Sequence, residues 1–124
     1  MNNKEFNNIG IIPLIRYTNA NIDKSIIYEE NIGKCGVYRW LNNLNGKSYV
    51  GSSISLSYKL NLYYSLYSLR KVKGSIIIQR ALLKYGYSNF TLDILEYCEL
   101  DVLIAREEYY INLLEPEYNI KKFF

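Results

Sequence analysis

Residues 36–53 read GVYRWLNNLNGKSYVGSS: a tyrosine stands two positions after a glycine (Gly36, Tyr38) and, after a spacer of ten residues, another stands two positions before one (Tyr49, Gly51). Paired phenols can exchange hydrogen bonds with the oxygens of a water or a phosphate. With an unperturbed pKa of about 10, neither is a base at neutral pH without a metal or a neighbouring cation to lower it. The chain has no histidine, so an imidazole ligand, base or nucleophile partner is excluded. Cys35 and Cys98 make no metal pattern; a disulfide between them is one option, and two buried thiols in a reducing compartment the preferred one.

The charge pattern adds a partner to this chemistry. The net charge is +3, but from Ile54 to Leu92 there is no acid, while Lys59, Arg70, Lys71, Lys73, Arg80 and Lys84 are all basic. From Asp93 to Glu117, eight acids face a single base, Arg106. The basic segment is interleaved with Tyr58, Tyr63, Tyr64, Tyr67, Tyr85 and Tyr87. Cations that release counterions and aromatics that stack suit a nucleic-acid backbone, although a solvated basic face has the same composition.

The elements that must position these residues follow from periodicity. The opening stretch is a β-hairpin: Val37, Tyr38, Trp40 and Leu41, then Tyr49 and Val50, are strand formers, and Asn45-Gly46 readily takes positive φ. Ser55 stands where a helix cap belongs, before Leu56, Leu60, Tyr63, Tyr64 and Tyr67 at helical spacing. A second helix, capped by Ser75, runs over 76–85 to Gly86 with Ile78, Leu82 and Tyr85 on one face; FTLDILEYC (90–98) alternates like a strand. A third helix runs from Asp101 to about Leu114 and stops at Glu115-Pro116. The expected order is β-β-α-α-β-α. Residues 1–34 read as an N-terminal arm, with IGIIPLIRY extended and a short helix in NIDKSIIYEENIG; residues 121–124 are a tail. With 124 residues, 49% of them hydrophobic, the chain is one globular domain with no apolar run near the ~18 residues of a membrane span and no secretory leader pattern. Abundant Asn, Ile, Lys and Tyr fit an AT-rich genome such as a mitochondrial one.

In this order the blocks GVY (36–38), YVG (49–51), SIIIQRALLKYG (75–86), FTLDILEY (90–97), AREEYYINLL (105–114) and EYN (117–119) resemble the GIY-YIG nuclease domain, over about residues 35–120, and look closest to the versions encoded in fungal mitochondrial introns. The resemblance implies an α+β fold with a small three-stranded antiparallel sheet flanked by about three helices, and phosphodiester hydrolysis with Mg²⁺ or Mn²⁺. It assigns Tyr38 as general base or orienter of the attacking water, Tyr49 as a contact to the scissile phosphate, Glu107 as the metal ligand and Asn119 as an organiser of the site.

Three features depart from the family pattern: Lys59 stands where the family carries an arginine, Tyr63 where many relatives place a histidine, and the chain ends at Phe124 without the usual C-terminal DNA-recognition region. Lysine keeps the charge but loses the fork that grips a phosphate. Two readings stay open. One is a metal-dependent DNA endonuclease; the other is a degenerate relative that binds RNA or DNA as a structural component, for example of a mitochondrial ribosome or other ribonucleoprotein.

Overall fold

The computed structural model describes residues 11–65 and 76–119. The hairpin is present as β2 (Gly36–Asn42) and β3 (Ser48–Ser53), paired so that Tyr38 lies opposite Gly51 and Trp40 opposite Tyr49. Its turn closes at Gly46, at φ 77°, whose N–H donates to the Asn42 carbonyl at 2.8 Å. Ahead of the hairpin stand β1 (Ile15–Tyr17) and α1 (Lys24–Glu30); after it come α2 (Leu56–Leu62), α3 (Ile76–Tyr85), β4 (Phe90–Tyr97) and α4 (Leu103–Leu114). All strands are antiparallel, in the order β1-β4-β2-β3.

The sheet therefore has four strands where three were expected. The fourth comes from the segment read as an extended arm. Ile15, Arg16 and Tyr17 pair with Ile94, Asp93 and Leu92 and cover the outer edge of β4. An ion cluster explains why so short a strand holds. The Arg16 guanidinium donates from Nε to Asp93 Oδ1 at 2.7 Å and from Nη2 to Oδ2 at 2.9 Å, and Arg39 Nη2 donates to the same Oδ2 at 2.7 Å. Arg16, Asp93 and Arg39 are register partners on β1, β4 and β2. Asp93 is fully buried and Arg39 nearly so.

One face of the sheet carries Tyr17, Tyr38, Trp40, Phe90, Leu92 and Ile94, packed with Ile27 of α1, Leu56 and Leu60 of α2, and Ile78, Ala81 and Leu82 of α3. The other carries Val37, Val50 and Leu95 under Leu103 and Tyr110 of α4. Asn31 ties the N-terminal elements in: its Nδ2 donates to the Tyr17 hydroxyl at 3.2 Å, and its Oδ1 accepts from the Tyr97 hydroxyl at 2.8 Å. None of the helices among the described residues is long and apolar enough to cross a membrane.

Replacing Asp93 with alanine removes the buried carboxylate that Arg39 and Arg16 share and is expected to cost about 3–5 kcal/mol of folding stability. Arg16→Met removes only the outer, partly exposed partner and costs about 1 kcal/mol. Urea unfolding distinguishes the two, and equal losses would show that Asp93 does not organise the sheet.

Candidate active site

Each candidate residue reaches its place by a separate local device. Tyr38 is on the central strand β2 with its side chain wholly buried. Its ring lies across Gly51: a Cβ added there would come within 2.6 Å of the Tyr38 hydroxyl oxygen and 3.0 Å of the Tyr49 ring. The glycine in YVG thus leaves room for the tyrosine in GVY. The Gly36 position serves β4 in the same way, since a Cβ there would meet the Glu96 carbonyl oxygen at 2.2 Å. The two phenols are neighbours on one face, with ring centroids 6.4 Å apart.

Tyr63, just beyond the end of α2, completes the cluster. Its hydroxyl lies 2.8 Å from that of Tyr38 and is also within hydrogen-bonding reach of Tyr49. The Tyr87 hydroxyl donates to the Tyr63 carbonyl and Tyr64 donates to the Ala20 carbonyl at 2.7 Å, which fixes the end of the helix. Lys59 lies one turn before Tyr63, so Leu56, Lys59, Leu60 and Tyr63 share one side of α2. Lys59 is half-buried there.

Glu107 comes from the opposite direction, on α4. Leu103, Glu107 and Tyr110 recur at helical spacing and face the sheet. The neighbouring Arg106 forks onto Glu96 of β4 with two bonds of 2.8 Å, and the Tyr110 hydroxyl adds a third at 2.8 Å. That anchor sets the helix so that Glu107 Oε1 accepts from the Ser52 hydroxyl of β3. Asn119 acts on backbone: its Oδ1 accepts from Val50 N–H and its Nδ2 donates to the Val50 carbonyl, both at 2.9 Å. With Tyr118 N–H on the Ser48 carbonyl at 2.9 Å, residues 118–119 pair along the free edge of β3 and hold Tyr49 from its flanks.

Electrostatics define what this cluster can do. The Tyr38 phenol is pushed well above its ordinary range, first by burial and then by the phenols of Tyr63 and Tyr49, the bond to Tyr63 and the charge of Glu107. Tyr49 is raised by burial, Tyr63 and Glu107. Both are neutral hydrogen-bonding groups at physiological pH. Among the described residues no three His, Cys, Asp or Glu side chains gather as a metal cage.

The GIY-YIG catalytic domain model matches residues 34–119. The chain belongs to the GIY-YIG family. It is 31% identical over 88 residues to "Probable intron-encoded endonuclease 1" of Neurospora crassa, covering 69% of this chain, and 30% identical over 125 residues to "Probable intron-encoded endonuclease bI1" of the same fungus, covering 92%. This chain spans 27% of the length of each relative. Its structure is similar to that of the catalytic domain of homing endonuclease I-TevI, with a TM-score of 0.59 and 35% identity over 72% of this chain and all of that one. β1 and α1 precede the span that the GIY-YIG model matches.

Of the residues singled out from sequence, Tyr38 and Tyr49 lie beside Tyr63 on one face of the sheet, Glu107 stands on α4 at the other face, bonded to Ser52 and with its charge acting on both phenols, Asn119 braces the strand of Tyr49, and Lys59 stands on the side of α2 that carries Tyr63. Arg80 and Lys84 are exposed on α3; Arg70, Lys71 and Lys73 lie outside the described residues. Sequence reasoning noted Tyr63 as standing where many relatives place a histidine but gave it no role at the site, and gave Ser52 none either. The signal for Tyr63 was a phenol on an otherwise aliphatic helix face, which needs a buried partner for its hydroxyl.

Gly51→Ala is expected to displace the Tyr38 ring, break its bond to Tyr63 and cost about 1–3 kcal/mol. A crystal structure of the variant, with its thermal unfolding, checks this; an unmoved Tyr38 hydroxyl would show that the glycine does not make the space.

Proposed function

We propose that the chain is the catalytic domain of a Mg²⁺- or Mn²⁺-dependent endonuclease that hydrolyses phosphodiester bonds in DNA. The observation that carries this reading is the gathering of three phenols from β2, β3 and the end of α2, with the Glu107 carboxylate of α4 bonded to Ser52 of β3 and near enough for its charge to raise Tyr38 and Tyr49. The donor set fits such an ion. A single partly exposed carboxylate, Glu107, matches a hard cation that keeps most of its waters and takes further ligands from a phosphate. When bound, the ion supplies positive charge against the charge that develops on the phosphate.

The protein's own groups then divide the work. Tyr38, neutral and locked to Tyr63, orients the attacking water; its raised pKa favours that role over general base. Tyr49, less buried, donates to a phosphate oxygen. Lys59 places a point charge beside the same phosphate, and Asn119 keeps β3 straight so that Tyr49 holds its position. Arg80 and Lys84, with Lys59, form the described part of the basic surface that follows the nucleic-acid backbone. The names of the relatives support DNA cleavage for the longer protein, and the AT-rich composition supports a mitochondrial origin. One observation favours the second reading, binding without cleavage: Lys59 stands where a guanidinium would grip the phosphate with two parallel bonds.

Nicking of a supercoiled plasmid with Mg²⁺ or Mn²⁺ tests both readings. Wild type is expected to cut and Glu107→Ala to lose cutting while keeping DNA affinity. Lys59→Arg is expected to raise the rate, by up to about 10²-fold, since one charge contact made in the transition state is worth that much. Retained binding with no cutting by wild type or Lys59→Arg would leave the binding protein as the answer. Affinity should fall with salt, with a log–log slope of about 0.7–0.9 per neutralised phosphate. A flat salt dependence would remove the basic surface from the account.

A further inference from the structure

The two cysteines are placed otherwise than the sequence implied. Both are partly exposed, not buried. Gly36 and Tyr97 are register partners at the end of the β2–β4 ladder, and Cys35 and Cys98 are the next residues out along the two strands. Their backbones are joined, Cys98 N–H donating to the Cys35 carbonyl at 3.0 Å. The Cys98 thiol is within hydrogen-bonding reach of Cys35, and both line one concavity of about 270 Å³ with Gly33, Lys34, Tyr97 and Glu99. We propose that Cys35 and Cys98 form a modification site, a thiol pair that a small disulfide oxidant converts reversibly into an intramolecular disulfide stapling β2 to β4.

The geometry carries the reaction. Cys35 and Cys98 stand directly opposite one another past the end of adjacent antiparallel strands, where Cβ atoms lie about 4.5–5.5 Å apart, so closure asks for side-chain rotation and an approach of the two strand ends by about an ångström. The concavity admits the oxidant. One thiolate attacks a sulfur of the oxidant, forming a mixed disulfide and expelling one thiol; the second thiolate attacks the Sγ of the modified cysteine, forming Sγ–Sγ and expelling the other half of the oxidant as the second thiol. Two protein thiols are oxidised and one disulfide is reduced to two thiols, with their two protons going to the leaving groups. The Cys98 thiol is raised, mainly by burial and by Cys35 and Glu96, with Arg106 opposing. An environment that does not stabilise the thiolate favours the oxidised pair over the reduced one. The bond would close a loop of about 60 residues, removing much of the freedom of the unfolded chain. This site is independent of the nuclease reading.

The test is equilibration of the full chain in reduced and oxidised glutathione mixtures, followed by acid quench, intact mass, peptide mapping and thermal unfolding. The expected result is a monomer two hydrogens lighter, a linked Cys35–Cys98 peptide, reversal by dithiothreitol and a Tm raised by about 5–15 °C. Cys35→Ser and Cys98→Ser should each lose the mass change and the Tm shift while folding like the reduced wild type. Two separate glutathione adducts, a disulfide to a second copy, or two free thiols in excess oxidised glutathione would overturn the proposal.

Discussion

The fold depends on a carboxylate that cannot be left alone. Asp93 is wholly buried in the strand between β1 and β2, where an unpaired charge would cost several kcal/mol or force protonation. Arg39 and Arg16, its register partners, supply the counter-charge from either side. Side chains alternate along a strand, so a slip of one residue would strand Asp93 and turn Arg39 into the cluster of Tyr38, Trp40 and Tyr63. The ion cluster lies on the opposite face of the sheet from the phenols, yet it is what assigns Tyr38 to its face.

Space is the second constraint. Tyr38 can be buried and still reach Tyr63 only because Gly51, its partner across the strands, has no side chain. The same pairing places Tyr49 opposite Trp40. One missing Cβ therefore lets two phenols and the phenol of Tyr63 share a hydrogen-bonded cluster beside a partly exposed carboxylate. The tyrosine of the first short motif uses the glycine of the second. The glycine of the first serves a different neighbour, the Glu96 carbonyl of β4.

Local patterns made most of the elements legible. The hairpin, the helix from Leu56, the helix over 76–85, the strand from Phe90 and the helix ending at Leu114 all stand where periodicity and turn residues put them. What stayed hidden was non-local. A three-residue strand such as Ile15–Tyr17 has too little sequence to show a period, and its stability comes from Asp93, 77 positions away in the chain. In FTLDILEY, Asp93 reads as the polar side of a half-exposed strand. It is buried because α4 covers that face, an effect of tertiary structure that no strand pattern encodes. Motif order was enough to choose Tyr38, Tyr49, Glu107 and Asn119. It did not show that Asn119 acts on the Val50 backbone, because that contact joins residues 69 positions apart in the chain. The cysteines were misjudged for a related reason: thiols favour burial by type, but these two lie just past the end of a ladder, where the covering layers stop.

A site without histidine has a chemical consequence. In the free domain the phenols of Tyr38 and Tyr49 are raised above their ordinary range, so both stay protonated across neutral pH. Neither can act as a base there, because a phenol must first shed its own proton and burial opposes the phenolate. Lys59 stands on the helix side bearing Tyr63. A cluster of this kind offers donors and fixed charge, and it works by orientation and by stabilising charge as it forms, which cost no rearrangement during the reaction. Replacing an imidazole with the Tyr63 phenol fits that arrangement, because a neutral hydroxyl bridges Tyr38 and Tyr49 without adding a group that changes charge between pH 6 and 8. What the chain supplies is the rigid placement of these groups, which Gly51, Asn119 and the buried Asp93 secure from three different parts of the chain.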